Sequence, residues 1–295
     1  MTIKSILVSL DGTEASHATL EAALTVAAKL SVSLDVLHVR PDSLTEAPAM
    51  GDSMSGSMVE KFAHGHAGLA EERARAARAI FAEICAKHGV PVVENGAATQ
   101  GRLAARFVEK VGKKHSVFPR LARVHDLVIV GHPSNPKDLL HSLTIDALFE
   151  SGRPTLVVPH RPPASFARTI AIAWNGSPEC ARALGGATNL FPFAERVVIL
   201  TAESHHTPVS VVEDLVGYLE RHGIKPQHRI IGHMGSKHLG GKRLLAAAAE
   251  EKADLLVMGA HRHRRWSLHR WREVYLGRAT REVLEMAEIP VLMGH

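Results

Sequence analysis

Short continuous apolar runs alternate along this chain with longer segments of helical periodicity. In the first half the runs fall at 3–10, 33–39, 91–95, 126–131 and 154–158. Their continuous, β-branched character predicts strands buried on both faces. Helices are predicted between them at 14–31, 59–88, 101–111 and 138–150. The first of these is rich in alanine, the strongest helix former. The second half repeats the pattern, with strands predicted at 168–174, 196–202, 227–232, 254–259 and 290–293 and helices at 178–190, 208–222, 241–252 and 277–287. Such alternation predicts right-handed crossovers and an α/β, Rossmann-like fold of two repeated doubly wound domains. Each domain is expected to hold a five-stranded parallel sheet flanked by helices. The extra material near 41–58, rich in Ser, Gly, Met and Pro, is expected to form a mobile loop.

The repetition extends to residues. Ile6-Leu7-Val8-Ser9-Leu10-Asp11-Gly12 matches Ile170-Ala171-Ile172-Ala173-Trp174-Asn175-Gly176, and Asp126-Leu127-Val128-Ile129-Val130-Gly131 matches Asp254-Leu255-Leu256-Val257-Met258-Gly259. Arg153-Pro154-Thr155-Leu156-Val157-Val158 matches Ile289-Pro290-Val291-Leu292-Met293. The three pairs keep their order at offsets of 164, 128 and 136 residues, which implies insertions and deletions in a duplicated unit. The domains are placed at 1–160 and 166–295, joined near the proline-rich stretch Pro159-His160-Arg161-Pro162-Pro163-Ala164.

Composition narrows the class. At 295 residues, 45% hydrophobic and 22% charged, the chain has ample material for a core and is not intrinsically disordered. No apolar run reaches the roughly 18 residues needed to span a bilayer. The first residues enter a strand pattern at once, so no signal peptide is expected. Two isolated cysteines, Cys85 and Cys180, make neither a disulfide framework nor a zinc site, and a cytoplasmic location is the expectation. The formal net charge is +5, with 18 Lys+Arg against 17 Asp+Glu in residues 1–165 and 17 against 13 in residues 166–295. Twenty histidines could raise it in mild acid.

Doubly wound sheets bind ligands beyond the carboxyl ends of their strands. Attention therefore falls on the loops after the first and fourth strands of each half. After the first come Asp11-Gly12-Thr13-Glu14-Ala15-Ser16 and Asn175-Gly176-Ser177-Pro178-Glu179, both turn chemistry opening a helix. After the fourth come Gly131-His132-Pro133-Ser134-Asn135-Pro136 and Gly259-Ala260-His261-Arg262-His263. His141-Ser142 and Gly277-Arg278-Ala279-Thr280 then open the last helices, whose free backbone N–H groups favour phosphate. Each feature also has a plain structural reading, a well-made turn or a helix cap.

In both halves, a strand ending in Asx-Gly-(Ser/Thr), a late Asp-Leu strand ending in glycine and a final Pro-led strand together resemble the universal stress protein family, in its tandem type. The resemblance covers nearly the whole chain. It implies an adenine nucleotide alpha hydrolase-like fold, pairing through the last strands as an internal pseudo-dimer or homodimer, and a stress-response role in which some members bind ATP. Binding members carry Gly-x-x-Gly, nine residues, then Gly-(Ser/Thr). On that pattern Asp11, Val39 and Gly131 match in the first half, with Ser142 near the hydroxyl position and Ser134 in place of the second glycine. In the second half Asn175 replaces the aspartate. Gly259 and Gly277 remain, Arg262 stands at the second glycine and Arg278 at the hydroxyl position, with Thr280 following in the helix. ATP with Mg²⁺ is the implied ligand, and of the two sites the second half is favoured, because Gly259, Gly277 and the arginines can engage phosphate.

Residues 261–272 hold five arginines, three histidines and two tryptophans. Three readings stay open: side-chain contacts to an anionic nucleotide, a protein interface, or single-stranded nucleic acid. A net charge of only +5 argues against a dedicated nucleic-acid binder. Gly235-Ser236-Lys237-His238-Leu239-Gly240-Gly241-Lys242 misses the spacing of a phosphate loop and reads as a glycine-rich start to a helix. The histidine pairs 64/66, 205/206 and 261/263 are weak metal signals, and no metal site is assigned. No nucleophile–base set carries motif support. A binding or regulatory module is expected, with an interaction scaffold as the alternative and a slow ATPase behind both.

Overall fold

The computed structural model describes residues 2–41, 56–94, 102–132, 142–161, 165–202, 209–232, 240–263 and 275–295; for 56–67, 209–210, 262–263 and 275 it describes the backbone alone. The first half runs β1 (Ser5–Ser9), α1 (Ala15–Leu30), β2 (Ser33–Arg40), α2 (Gly56–Lys87), β3 (Ala104–Val111), α3 (Lys114–Ala122), β4 (Leu127–Gly131), α4 (Leu143–Glu150) and β5 (Thr155–Val158). The second runs β6 (Thr169–Ala173), α5 (Pro178–Ala187), β7 (Arg196–Thr201), α6 (Val209–Arg221), β8 (Gln227–Ile230), α7 (Gly241–Glu250), β9 (Leu255–Gly259), a short hairpin of β10 (Arg262–His263) and β11 (Tyr275–Leu276), α8 (Arg278–Met286) and β12 (Val291–Gly294).

Ten strands form one sheet in the order β3-β2-β1-β4-β5-β12-β9-β6-β7-β8. Neighbours within each half are parallel. Where the halves meet, β5 and β12 pair antiparallel, with Leu156 opposite Leu292. That single reversal sends the strand carboxyl ends of the two halves to opposite edges of the sheet. The repeated residues explain themselves here. Asp126 accepts from the backbone N–H groups of Lys4 and Ser5 at 2.9 and 3.0 Å, and Asp254 does the same for Arg168 and Thr169 at 3.1 and 2.9 Å. Each aspartate thus ties the start of its half's first strand to the strand beside it.

The strand interiors are apolar on both faces because helices cover both. One face buries Leu20, Ala23 and Ala27 of α1, Ile80, Phe81 and Ile84 of α2, Ala183 and Leu184 of α5, and Leu215 and Leu219 of α6. The other buries Phe118 of α3, Leu148 of α4, Leu244 of α7 and Leu284 of α8. Two polar contacts also cross between the halves: Lys29 Nζ donates to Phe166 O at 2.6 Å, and Ile3 N to Asn189 Oδ1 at 3.3 Å. Among the described residues no helix is long and apolar enough to cross a membrane.

Two predicted elements are corrected. Residues 104–111 are not helical; they form β3, which pairs with β2 over eight residues from Ala104 to Val111. The alanines and charges there favour a helix locally, but the sheet partner overrides that preference. Residues 91–93 are not a sheet strand of their own. They lie along β3, with Ala105 N donating to Pro91 O and Val93 N to Ala105 O, and cover its outer edge near the start. The helix of this crossover is α3 at 114–122, which carries Pro119 inside it. The loop expected near 41–58 ends earlier, since α2 begins at Gly56; residues 42–55 lie outside the described residues.

Candidate functional site

In the first half the chain leaves β1 into a turn built around one carboxylate. Asp11 Oδ1 accepts from Thr13 N at 3.0 Å, Thr13 Oγ1 at 2.6 Å and Ser16 Oγ at 2.8 Å. Burial works against its charge. Hydrogen bonds from Thr13 and Ser16, together with the nearby Lys114 ammonium, outweigh burial and hold Asp11 below the usual carboxylate range. Gly12 has a φ of +76°, and a Cβ there would lie 2.3 Å from the carbonyl oxygen of Arg73. The turn is therefore pressed directly against α2.

The other predicted residues of this half gather at the same edge. Val39 is the last residue but one of β2 and is buried in the core, 6% exposed, so its backbone is what it would offer to a ligand. Gly131 ends β4, and a Cβ there would meet Thr19 Oγ1 at 2.4 Å. Close packing of α1 therefore accounts for this glycine whether or not a ligand binds. Ser142 is the residue before α4, in extended backbone. Ser134 and His141 lie outside the described residues.

The second half repeats the turn with different chemistry. Asn175 Oδ1 accepts from Ser177 N at 3.0 Å and from Cys180 Sγ at 3.0 Å. Ser177 caps α5 by accepting from Cys180 N at 3.3 Å. A Cβ on Gly259 would lie 2.7 Å from Cys180 N and 2.8 Å from the Glu179 Cβ. The Glu179 carboxylate stands at this edge, 3.1 Å from Arg182 and 3.9 Å from Nδ1 of His261. Burial opposes its charge, but its own backbone N–H, Ser177, Arg182 and His261 outweigh that and lower its pKa.

The remaining second-half residues are engaged within the fold. Gly277 precedes α8 and its N–H donates to His261 O at 2.9 Å. Thr280 is 2% exposed, and its hydroxyl accepts from His261 N at 3.1 Å. Arg278 is exposed and pairs through Nε with Glu282 Oε1 at 2.8 Å. Arg262 is placed in β10 by its backbone, opposite Leu276. Most of the arginine–tryptophan segment, 264–272, lies outside the described residues, as do the histidines 205 and 206. The glycine-rich stretch before α7 does open a helix: Gly240 precedes it and Gly241 begins it. Among the described residues no three His, Cys, Asp or Glu side chains converge as metal ligands.

Sequence reasoning missed three residues at the first-half edge. Lys114 opens α3 and lies close enough to Asp11, Arg73 and Asp146 for their charges to act on it. His115 Nδ1 lies 2.5 Å from Oδ2 of Asp146, in the first turn of α4. Burial raises the Asp146 pKa and Glu150 adds to that, while His115 and Lys114 pull the other way. Correct placement of α3 would have brought Lys113-Lys114-His115 to the carboxyl edge; reading 101–111 as the helix hid them.

Residues 167–295 match the model of the universal stress protein family. The whole fold is similar to that of a universal stress protein from Archaeoglobus fulgidus DSM 4304, with a TM-score of 0.64 at 17% identity over 99% of this chain and 98% of that one. It is also similar to a functionally unknown protein from Pseudomonas aeruginosa PAO1, with a TM-score of 0.56 at 15% identity over 98% and 92% of the two chains. At such identities the likeness is one of fold. The chain matches no curated protein by sequence.

Proposed function

We propose that the chain is a tandem universal stress protein, with domains at 1–160 and 166–295. It acts as a stress-response regulatory module that binds an adenine nucleotide at the carboxyl edge of its first half. The family match over 167–295 and the identical strand order of the two halves support the tandem reading. The observation that carries the binding reading is the Asp11 turn. Among the described residues its Oδ1 accepts from Thr13 N, Thr13 Oγ1 and Ser16 Oγ, so Oδ2 is the oxygen that would accept from a ligand hydroxyl such as a ribose. The carboxylate is ionised and oriented before any ligand arrives, so little ordering remains to be done on binding. The Val39 backbone and Gly131 frame the same edge.

The second-half edge fits an anion less well. Asn175 is neutral, the Glu179 carboxylate stands beside Gly259, and Arg278 already has Glu282. This reverses the preference drawn from the glycines and arginines alone. The same features favour a second reading, in which the second half is an interaction scaffold with no ligand and residues 261–272 meet a protein partner.

Calorimetric titration of the purified chain with ATP and Mg²⁺ tests the proposal. One binding event, weakened at least about tenfold in Asp11→Ala, is expected from the loss of a charge-assisted hydrogen bond. No heat with the unmutated chain would leave the scaffold reading. Phosphate release no faster than in a mock preparation separates binding from turnover.

A further inference from the structure

α3 starts at the edge where Asp11 lies, and it starts with a half-buried lysine. Lys114 is within electrostatic reach of Asp11 on one side and Asp146 on the other. Asp146 belongs to the first turn of α4, the helix that Ser142 precedes, and its contact with His115 holds the first turns of α3 and α4 together. Lys114 therefore stands between the turn that would face the adenosine and the helix start that would face the phosphates. Arg73 reaches the same edge because α2 presses its carbonyl on Gly12.

Among the described residues, the second half places no lysine at the matching first position of its helix. α7 begins with Gly241, where a Cβ would lie 2.6 Å from Ala279 O and 2.7 Å from the Glu282 Cβ. The helix starts of α7 and α8 are packed too closely there for any side chain. A lysine at one helix start and a sterically required glycine at the other make the two edges electrostatically unlike, despite their common strand order.

We propose that Lys114 is the cation that holds the phosphate of a nucleotide at the carboxyl edge of the first half, so that the chain binds phosphorylated adenine nucleotides in preference to adenosine and takes one per chain. This rests on the binding reading above and names the group that selects within it. Burial works against the Lys114 charge, Asp11 and Asp146 favour it, Arg73 opposes it, and the balance lies below the ordinary lysine value. A phosphate would supply the negative charge that burial leaves wanting.

The test is titration of the full chain with ATP and with adenosine, in the unmutated protein, Lys114→Gln and Lys114→Arg. Lys114→Gln is expected to weaken ATP at least about tenfold, as for loss of a charged hydrogen-bond partner, and to leave adenosine within about twofold. Lys114→Arg should keep most of the ATP affinity. Unchanged ATP affinity in Lys114→Gln, equal losses for ATP and adenosine, or two ATP per unmutated chain would each overturn the assignment while leaving nucleotide binding standing. Binding of neither compound by the unmutated chain would remove the binding reading and this assignment with it. Should Lys114→Gln fail to fold, protection of Lys114 from chemical acetylation in the unmutated chain decides the matter by mass spectrometry: slowing by ATP but not by adenosine is expected, and no slowing by ATP overturns it.

Discussion

Replacing Gly12 by alanine should cost far more than the same change at Gly89, although both glycines have positive φ, +76° and +61°. Alanine in this left-handed region costs about 1 kcal/mol on backbone grounds. At Gly89, which follows the end of α2, the added methyl meets nothing within 4 Å, so that cost is the whole effect. At Gly12 the methyl would lie 2.3 Å from the carbonyl oxygen of Arg73, with the Arg73 carbonyl carbon at 3.1 Å. Ordinary contact begins near 3.4 Å. The obstacle is backbone inside a helix, so no side chain can rotate away, and either α2 or the turn must shift. Overpacking of this kind costs about 1–3 kcal/mol. The expected total is about 3 kcal/mol for Gly12→Ala against about 1 kcal/mol for Gly89→Ala. In urea, with a slope near 3 kcal/mol/M, the two unfolding midpoints should differ by about 0.7 M. Circular dichroism of the two variants at equal slopes reads this directly. Midpoints that coincide would mean that α2 does not press on the β1–α1 turn, and the close packing of the first-half edge would be wrong.

Leu156→Ala, at the β5–β12 seam and fully buried, should destabilise the chain by about 2–5 kcal/mol, measured by denaturant unfolding. Asp35 is held by Arg106 and by Nε2 of His125 at 3.2 Å; burial raises its pKa, but these partners outweigh burial and lower it below 3.8. A lowered folded value stabilises above the unfolded pKa and is lost as the pH falls, so Asp35→Asn should be less stable than the parent at pH 7. In thermal melts that gap should shrink as the pH drops below 3.8. Burial pushes the Cys85 thiol up to about 11, so in the native chain at pH 8 it should react with a disulfide reagent far more slowly than after unfolding.

Most of the fold was legible because its signals are local and repeated. Continuous apolar runs such as 127–131 and 255–259 can hardly be anything but buried strands, and they recur with the same Asp before and the same Gly at the end. The third crossover of the first half was not legible. Ala104-Ala105-Arg106-Phe107-Val108-Glu109-Lys110-Val111 has no clean alternation, and its strand character comes from the β2 partner. Pro119 likewise disguises the helix that follows. That one misplaced element removed Lys114 and His115 from view, and with them the partner that marks Asp146, since a residue is read as part of a site only if its element ends at the right edge. Charge read along the chain also leaves out pairing within a helix: Arg278, read as a phosphate contact, has the i,i+4 partner Glu282 on its own helix.

The common strand order gives the two edges one scaffold without requiring them to share chemistry. What both halves keep is what the fold requires: an aspartate that ties the first strand, a glycine where a helix crosses closely, and an Asx-Gly turn that leads into the next helix. Gly131 and Gly259 have packing reasons in Thr19 and Cys180, so their presence in both halves says little about ligands. The residues that differ lie at the turns and helix starts around the two edges. Asp11 becomes Asn175, a lysine at the start of α3 becomes Gly241 at the start of α7, and a carboxylate, Glu179, appears beside the second edge. Because the β5–β12 reversal puts the two edges at opposite ends of one sheet, a ligand at the first cannot touch the second directly. Any effect of occupancy on a partner bound at the second edge must therefore travel through the sheet and its helices. The common apolar layers that run under both halves are the physical connection available for it.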